Sequence, residues 1–177
     1  ANFFVIKAND KTGFFAIEKA VEILKKYQVD ALVTAPVNKE AINKSGIPFQ
    51  GHTEYLAEAT NTKKFAMMLC GGPLKVTTVT RHVPLKTVSS ILTQAKIIEA
   101  VRLTDSGLKK YFGIKKPRIG VCALNPHCGE GGAIGREEQD IIIPAIKKIR
   151  RFIPGVHGPI SGDVIFYMAY NGKLDAV

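Results

Sequence analysis

The chain contains no apolar run of the roughly 20 residues that a helix needs to cross a bilayer, so a membrane-spanning protein is not expected. The opening Ala1-Asn2-Phe3-Phe4-Val5-Ile6-Lys7 has too short an apolar run, and no basic leader before it, to form a signal peptide. Cysteine is scarce as well: Cys70, Cys122 and Cys128 are odd in number and lack CxxC spacing. We therefore expect reduced thiols and a cytoplasmic protein, and no disulfide framework.

Several common catalytic motifs are missing too. The chain has no GxxxxGK[ST] phosphate loop, no GxGxxG dinucleotide motif, no HExxH and no GxSxG. It also shows no internal repeat, no low-complexity stretch and no obvious linker, so no internal domain boundary is predicted. A function must therefore be sought in residues that are distant along the chain.

Acidic residues are outnumbered, with 15 Asp and Glu against 25 Lys and Arg, which gives a net charge of +10. Most of the lysine pairs lie near the ends of predicted helices, where a cation is favoured by the helix dipole. We interpret them mainly as solvated helix faces. Attraction of an anionic small molecule is an alternative, and nucleic-acid binding is not expected because the charges are not interleaved with aromatic platforms.

Hydrophobic periodicity predicts strands that alternate with helices. Helices are predicted over 14–26, 37–44, 87–112 and 137–151, with further helices beginning at caps Thr53 and Asp163, and strands over 29–35, 65–70, 74–80, 118–124 and 174–177. The strands at 65–70 and 74–80 are joined so tightly that they should be antiparallel neighbours. The predicted fold class is α/β, a mixed sheet with helices on both faces.

A glycine-rich stretch follows the predicted strand 118–124 and begins Leu124-Asn125-Pro126-His127-Cys128-Gly129-Glu130-Gly131-Gly132. Loops at the carboxyl ends of strands are where α/β proteins usually bind ligands. So many glycines lower stability unless the backbone must turn unusually or approach a ligand closely. A mobile surface loop is the alternative reading, and a Cys128 nucleophile is a weaker one.

Three histidines are predicted at the ends of elements. His52 precedes the helix capped by Thr53, where backbone N–H groups can hold an anion, while His82 and His127 follow strands. Two imidazoles suit zinc, cobalt, nickel or iron better than calcium, but catalytic zinc usually has three protein ligands. A third ligand would have to come from Asp163, from Glu130, from another chain or from residues not present. The simpler alternative is that each histidine is a surface or backbone-bonded residue.

Five stretches of the chain form a familiar set in a fixed order: Ala31–Lys39, Gly51–Ala57, Met67–Gly72, Thr80–Leu85 and Leu124–Gly132. With these stretches the chain resembles the family of 4-hydroxythreonine-4-phosphate dehydrogenases of pyridoxal phosphate synthesis along nearly its whole length. Related enzymes oxidise 4-phosphoerythronate, 4-phosphothreonate or an aromatic cis-diol.

The resemblance implies a two-lobed fold like that of isocitrate and isopropylmalate dehydrogenases, and a homodimer with its active site at the subunit interface. It implies that His52 and Thr53 bind the phosphorylated substrate and that His82 and His127 bind a divalent metal (Zn, Co or Mg). The third metal histidine would come from the partner subunit. Asp163 matches a family turn around the catalytic site, although Ser161-Gly162-Asp163-Val164 departs from the usual Pro-Ala-Asp-Thr pattern.

The implied activity is a metal-dependent, NAD- or NADP-linked oxidation of 4-(phosphooxy)-threonine with decarboxylation to 3-amino-2-oxopropyl phosphate. No residue of the chain is assigned to the nucleotide. By resemblance, residues 1–177 are the central part of the dehydrogenase and lack segments at both ends. We therefore expect the parent enzyme, and not these residues alone, to be active; a catalytically incomplete metal- or anion-binding fragment is the alternative.

Overall fold

The computed structural model describes residues 5–7 and 12–177, and the chain divides into two units, one ending at Phe65 and one running from Ala66 to Val177. The expectation about an amino-terminal leader falls largely on residues 1–4, which lie outside the described residues. The helices of the first unit are α1 (Phe14–Lys25), α2 (Lys39–Lys44) and α3 (His52–Ala59).

Ile17 of α1, Ile42 of α2 and Phe49 form the buried core of the first unit. The loop between α2 and α3 is fixed by Asn43, whose side-chain amide donates to the Phe49 carbonyl (2.9 Å) and whose oxygen accepts the Phe49 N–H (3.0 Å). Phe49 in turn meets the His52 ring edge-on, at 5.8 Å between centroids. The core of this unit therefore positions the start of α3.

The prediction of a buried strand over 29–35 is wrong, because this segment has no strand structure and is largely exposed, with Val33 95% exposed. A strand exists only if a neighbour satisfies its backbone N–H and C=O groups. Within the part of the first unit that the structure describes, no strand is present to do so. Apolar composition alone was the reason for the prediction.

The second unit contains both sheets. Its strands are β1 (Met68–Gly71), β2 (Leu74–Thr77), β3 (Ile119–Cys122) and β4 (Val156–Ile160), and its α-helices are α4 (Val88–Ile91), α5 (Gln94–Phe112), α6 (Ile143–Arg150) and α7 (Gly162–Tyr170). A 3₁₀ turn covers Leu85–Thr87 and a π-helical turn covers Glu138–Ile142. β1 and β2 pair antiparallel, as predicted, and β3 pairs parallel with β4.

The predicted long helix over 87–112 is in fact broken before α5. Leu92 and Thr93 adopt extended conformations, and the Thr93 hydroxyl accepts the Lys96 N–H, so Thr93 is the N-cap of α5. The helix predicted from residue 137 begins as the π-helical turn, and the regular α6 starts only at Ile143 with Pro144 in its first turn. Proline is tolerated there because its missing N–H would have no partner within the helix.

The last residues of the chain lie between β2 and β3. Val177 accepts the Thr77 N–H (2.8 Å) and donates to the Lys75 carbonyl (2.9 Å), and Ala176 accepts the Gly120 N–H (2.9 Å). A parallel bridge pairs Ile119 with Ala176. Residues 174–177 thus make strand-like hydrogen bonds on both sides, in agreement with the prediction of a strand beginning there.

Helices cover both faces of β3. Ile119 packs with the apolar sides of α5 and α6, including Leu108 and Ile146. On the opposite face, Cys122 packs against Ile165 of α7. The α/β fold class is therefore confirmed. Among the described residues, no helix is both long enough and apolar enough to cross a membrane.

Asp175 links the carboxyl-terminal residues 174–177 to Arg118 at the start of β3. Its replacement by Asn should therefore destabilise the second unit. Its carboxylate accepts the Arg118 backbone N–H (2.7 Å) and pairs with the Arg118 guanidinium (2.8 Å), which lowers the pKa of Asp175 below its ordinary 3.8. Because the pKa is depressed in the folded state, this stabilisation is present above about pH 4 and is lost as the pH falls through the folded pKa.

For Asp175→Asn we expect a loss of about 1–3 kcal/mol at pH 7 in urea unfolding, shrinking below about pH 4. Asp140→Asn is the control, since its pair with Arg136 is exposed on both sides and should contribute less than about 1 kcal/mol. Equal effects of the two variants at pH 7 would contradict the assignment.

Candidate functional site

An open cleft of about 810 Å³ lies between the loop that leaves β3 and the start of α7. Its lining residues are 122–128 and 161–163, so the predicted site residues His127 and Asp163 border the same space. They meet because β3 and β4 are parallel, which places both carboxyl ends at one edge.

His127 presents its ring to solvent, with its side chain 69% exposed. Its backbone N–H donates to the Asn125 side-chain oxygen (2.8 Å), in a turn closed by the Cys128 N–H bonding to the Asn125 carbonyl (2.9 Å). The His127 Nδ1 lies 3.5 Å from Glu130 Oε1, which is long for a hydrogen bond. A carboxylate beside Nδ1 favours a proton on that nitrogen, which leaves the Nε2 lone pair free to bind a metal ion.

The backbone after His127 makes a left-handed turn. All five residues of Cys128–Gly132 have positive φ, including the non-glycine residues Cys128 (54°) and Glu130 (43°). Left-handed conformations cost about 1–2 kcal/mol for each non-glycine residue. The glycine content of this stretch, from which an unusual turn was predicted, is thus explained by the backbone geometry.

Glu138 bonds to the loop that carries His127, and it was not predicted as a site residue from the sequence. Its Oε1 accepts the backbone N–H groups of Leu124 (2.9 Å) and Asn125 (2.8 Å), and the residue is only 1% exposed. The sequence suggested only an acidic residue in the first turn of a helix. The sequence feature that could have indicated a buried Glu138 is its place between the glycine-rich loop and the apolar run Ile141-Ile142-Ile143.

Asp163 lies in the first turn of α7, and the N-cap of that helix is Ser161, so the prediction of Asp163 as the cap is wrong. The extended Ser161 backbone ends the loop from β4 two positions earlier than expected. The pKa of Asp163 is lowered, chiefly by a hydrogen bond from the Ser161 side chain, then by backbone N–H groups and by His127, against the opposing effect of burial. Asp163 is therefore a carboxylate at neutral pH.

His82 is exposed. It does not directly follow β2 in the sequence, because that strand ends at Thr77 and not near residue 80 as predicted. Its backbone adopts a left-handed conformation (φ 50°), which is uncommon for residues other than glycine. The lining of the cleft does not include His82. Within residues 5–7 and 12–177, no three His, Cys, Asp or Glu side chains form a group that could hold a metal ion. A metal role for His82 and His127 stays a prediction.

His52 is the first residue of α3, and Gly51 is the N-cap, so the prediction of Thr53 as the cap is wrong. Gly51 is extended (φ 163°) and its carbonyl accepts the Tyr55 N–H, which starts the helix two residues before Thr53 can act as a cap. The His52 Nε2 atom is buried and has no hydrogen-bond partner among the described residues. A buried polar atom without a partner is costly unless a ligand or water satisfies it.

The family model of the pyridoxal phosphate biosynthetic protein PdxA matches residues 5–177. This chain belongs to the PdxA family. It is 45% identical over 161 residues to a 4-hydroxythreonine-4-phosphate dehydrogenase of Pseudoalteromonas atlantica, covering 91% of this chain and 49% of that protein. The chain spans about half the length of the curated relatives that it matches.

Solved structures agree with this membership. The 4-hydroxythreonine-4-phosphate dehydrogenase of Klebsiella pneumoniae matches with a TM-score of 0.86 at 34% identity, covering 97% of this chain and 54% of that one. A terephthalate 1,2-cis-dihydrodiol dehydrogenase of Burkholderia xenovorans matches with a TM-score of 0.74 at 28% identity, covering 98% and 56%. The resemblance noted in the sequence is thus confirmed at the level of the PdxA family.

Gly129 and Gly131 offer a matched pair for testing how tightly the left-handed turn is packed. Both have positive φ, but a Cβ at Gly129 would lie 2.8 Å from Glu138 Oε2 and 3.0 Å from the Gly135 carbonyl, whereas a Cβ at Gly131 meets open space. Gly131→Ala should cost about 1–2 kcal/mol of unfolding free energy from backbone strain alone. Gly129→Ala should cost about 1–3 kcal/mol more, because the carboxylate must move. Equal losses in urea denaturation would show that Glu138 does not pack under Gly129.

Proposed function

We propose that the protein oxidises 4-(phosphooxy)-threonine with NAD or NADP and releases 3-amino-2-oxopropyl phosphate and carbon dioxide, in pyridoxal phosphate synthesis. The observation that carries the proposal is the PdxA family match over residues 5–177. The named activity of the relatives supports it. In the reaction, the carbon bearing the hydroxyl gives a hydride to the nucleotide, the hydroxyl loses its proton, and the resulting β-keto acid loses its carboxylate.

His82 and His127 are the residues of this chain that we propose as ligands of a divalent metal, with a third ligand from outside the chain. The fit rests on His127, whose exposed ring borders the cleft and has a carboxylate beside Nδ1. Imidazole donors suit zinc or cobalt better than magnesium. When bound, such an ion supplies Lewis acidity that lowers the pKa of a substrate hydroxyl and stabilises the negative charge left by decarboxylation.

Asp163 is proposed to touch the substrate from the opposite wall of the cleft. Because its pKa is lowered by Ser161 and the neighbouring backbone N–H groups, it carries a negative charge at neutral pH. A carboxylate of low pKa accepts a proton weakly, so its physical role is best served by pairing with the ammonium group of an amino-acid substrate. This pairing would orient the hydroxyl-bearing carbon.

His52 and Thr53 are proposed to bind the phosphate of the substrate. They are the first residues of α3, where helix N–H groups lack partners within the helix and favour an anion. The buried His52 Nε2 without a partner supports a ligand at this point. Lys39 Nζ and Glu54 Oε2 lie 3.2 Å and 3.0 Å from where a Cβ of Gly51 would be, so a cation and a carboxylate both flank the start of α3.

A homodimer and a cytoplasmic location complete the proposal. The outer side of α7 leaves Tyr167 67% exposed and Tyr170 62% exposed, which supports a contact with a second subunit. The absence of nucleic-acid and membrane partners stays a prediction.

A cis-diol dehydrogenase is the second candidate, favoured by the likeness to the Burkholderia xenovorans enzyme. It differs from the first candidate in needing no phosphate. Turnover of 4-(phosphooxy)-threonine, 4-phosphoerythronate and an aromatic cis-dihydrodiol by the full-length protein separates these activities. Preference for the cis-diol, with His52→Ala leaving its KM unchanged, would contradict the phosphate assignment.

The metal role is tested by His127→Ala in the full-length protein. Loss of a ligand should reduce kcat about 10³-fold, because metal polarisation of the hydroxyl is worth several kcal/mol and 1.36 kcal/mol is tenfold in rate. Zinc affinity by competition with a chromophoric chelator should fall in parallel. His157→Ala, an exposed histidine of β4, is the control and should change neither quantity. Zinc binding that survives His127→Ala unchanged would contradict the role.

A further inference from the structure

Glu138 is a buried ionisable residue with no function assigned by the proposed chemistry. At 1% exposure it is among the most deeply buried side chains of the second unit. Glutamate is seldom so buried without a charged partner, and within the described chain no cation lies within ion-pair distance of it. Its stabilisation comes instead from the two backbone N–H groups of Leu124 and Asn125.

A chain of hydrogen bonds links this carboxylate to His127. Glu138 fixes the Asn125 backbone, and the Asn125 side chain then bonds in two directions. Its oxygen accepts the His127 N–H at 2.8 Å, and its amide donates to the Ile134 carbonyl at 3.1 Å. Asn125 therefore links the start of the loop both to His127 and to Ile134, near the end of the loop.

The second carboxylate oxygen contacts the other side of the loop. Oε2 is buried without a hydrogen-bond partner among the described residues and lies against Gly129, the second residue after His127. Oε1 thus bonds to the backbone before the histidine, and Oε2 lies 2.8 Å from where a Cβ of Gly129, after the histidine, would be. Gly129 belongs to the left-handed turn over Cys128–Gly132, so Oε2 packs against one residue of that turn.

We propose that Glu138 is a positioning residue for His127. Its carboxylate sets the position of the imidazole through Asn125 and through the packing under Gly129, without touching substrate or metal. This inference rests on the proposed ligand role of His127. Groups that orient a metal ligand typically change metal affinity by 10–100-fold when they are replaced.

The test uses Glu138→Gln and Asn125→Ala in the full-length protein. Glu138→Gln keeps the size of the side chain and one acceptor oxygen, but it removes the charge assistance from the bonds to Leu124 and Asn125 and puts an NH2 group where Oε2 lies beside Gly129. Asn125→Ala keeps the backbone N–H that Glu138 accepts and removes the side-chain links to His127 and to the Ile134 carbonyl. Asp140→Asn is the matched control, because it removes the same charge from the same π-helical turn at an exposed position.

We expect both test variants to weaken zinc binding by about 10-fold or more, and to lower kcat while the KM for the phosphorylated substrate stays within about twofold. In metal-free samples, the histidine ring resonance that is missing from His127→Ala should shift or broaden in both. Asp140→Asn should match the wild type in every measurement.

Unchanged zinc affinity together with an unchanged His127 resonance in either test variant would overturn the inference. If Glu138→Gln does not fold, Asn125→Ala alone decides the matter. If His127→Ala binds zinc as the wild type does, the proposed ligand role of His127 fails. The resonance of His127 in metal-free protein still decides whether Glu138 positions the ring.

Discussion

The parallel pairing of β3 with β4 is the constraint on which the candidate site depends. The register joins Ile119 to Val156 and Cys122 to Ile160, and the Ala123 N–H continues the pairing to the Ile160 carbonyl (2.9 Å). Both strands therefore end at the same edge. The loop that carries His127 and the helix that carries Asp163 leave the sheet side by side, and the cleft between them follows.

This pairing is itself supported from the other side of β3. Residues 175–177 bond to Arg118, Gly120, Lys75 and Thr77, so the tail links the hairpin to the parallel pair. Buried backbone groups need such partners, and β3 has them on both edges. By contrast, the segment 29–35 is apolar but finds no strand neighbour among the described residues and stays irregular and largely exposed.

Those two segments show what could be predicted from sequence. Alternating β-branched residues and a tight Gly-Gly-Pro connection were enough to predict the hairpin, and amphipathic spacing was enough for α1 and α5. Backbone partners are not encoded locally, so the strand over 29–35 was predicted wrongly. Helix starts also depend on single backbone conformations: extended Gly51 and Ser161 are the caps where side-chain preference favoured Thr53 and Asp163.

The candidate site, like the fold, was predictable from the sequence only in part. His127, Asp163 and the glycine-rich turn were predicted from residue type and position, and the fold brings the two side chains to one cleft. Glu138 was not predicted, because a carboxylate in an acidic stretch reads as a helix start. Its burial and its bonds to Leu124 and Asn125 arise only when the π-helical turn packs under the loop.

The most direct measurement is the anomalous diffraction of zinc-soaked crystals of the full-length protein, recorded at the zinc edge. The account predicts one peak about 2.0–2.1 Å from a ring nitrogen of His127, shared with His82 and a ligand from outside these residues. A zinc peak that touches neither histidine, or that leaves the two imidazoles too far apart to share one ion, would contradict it.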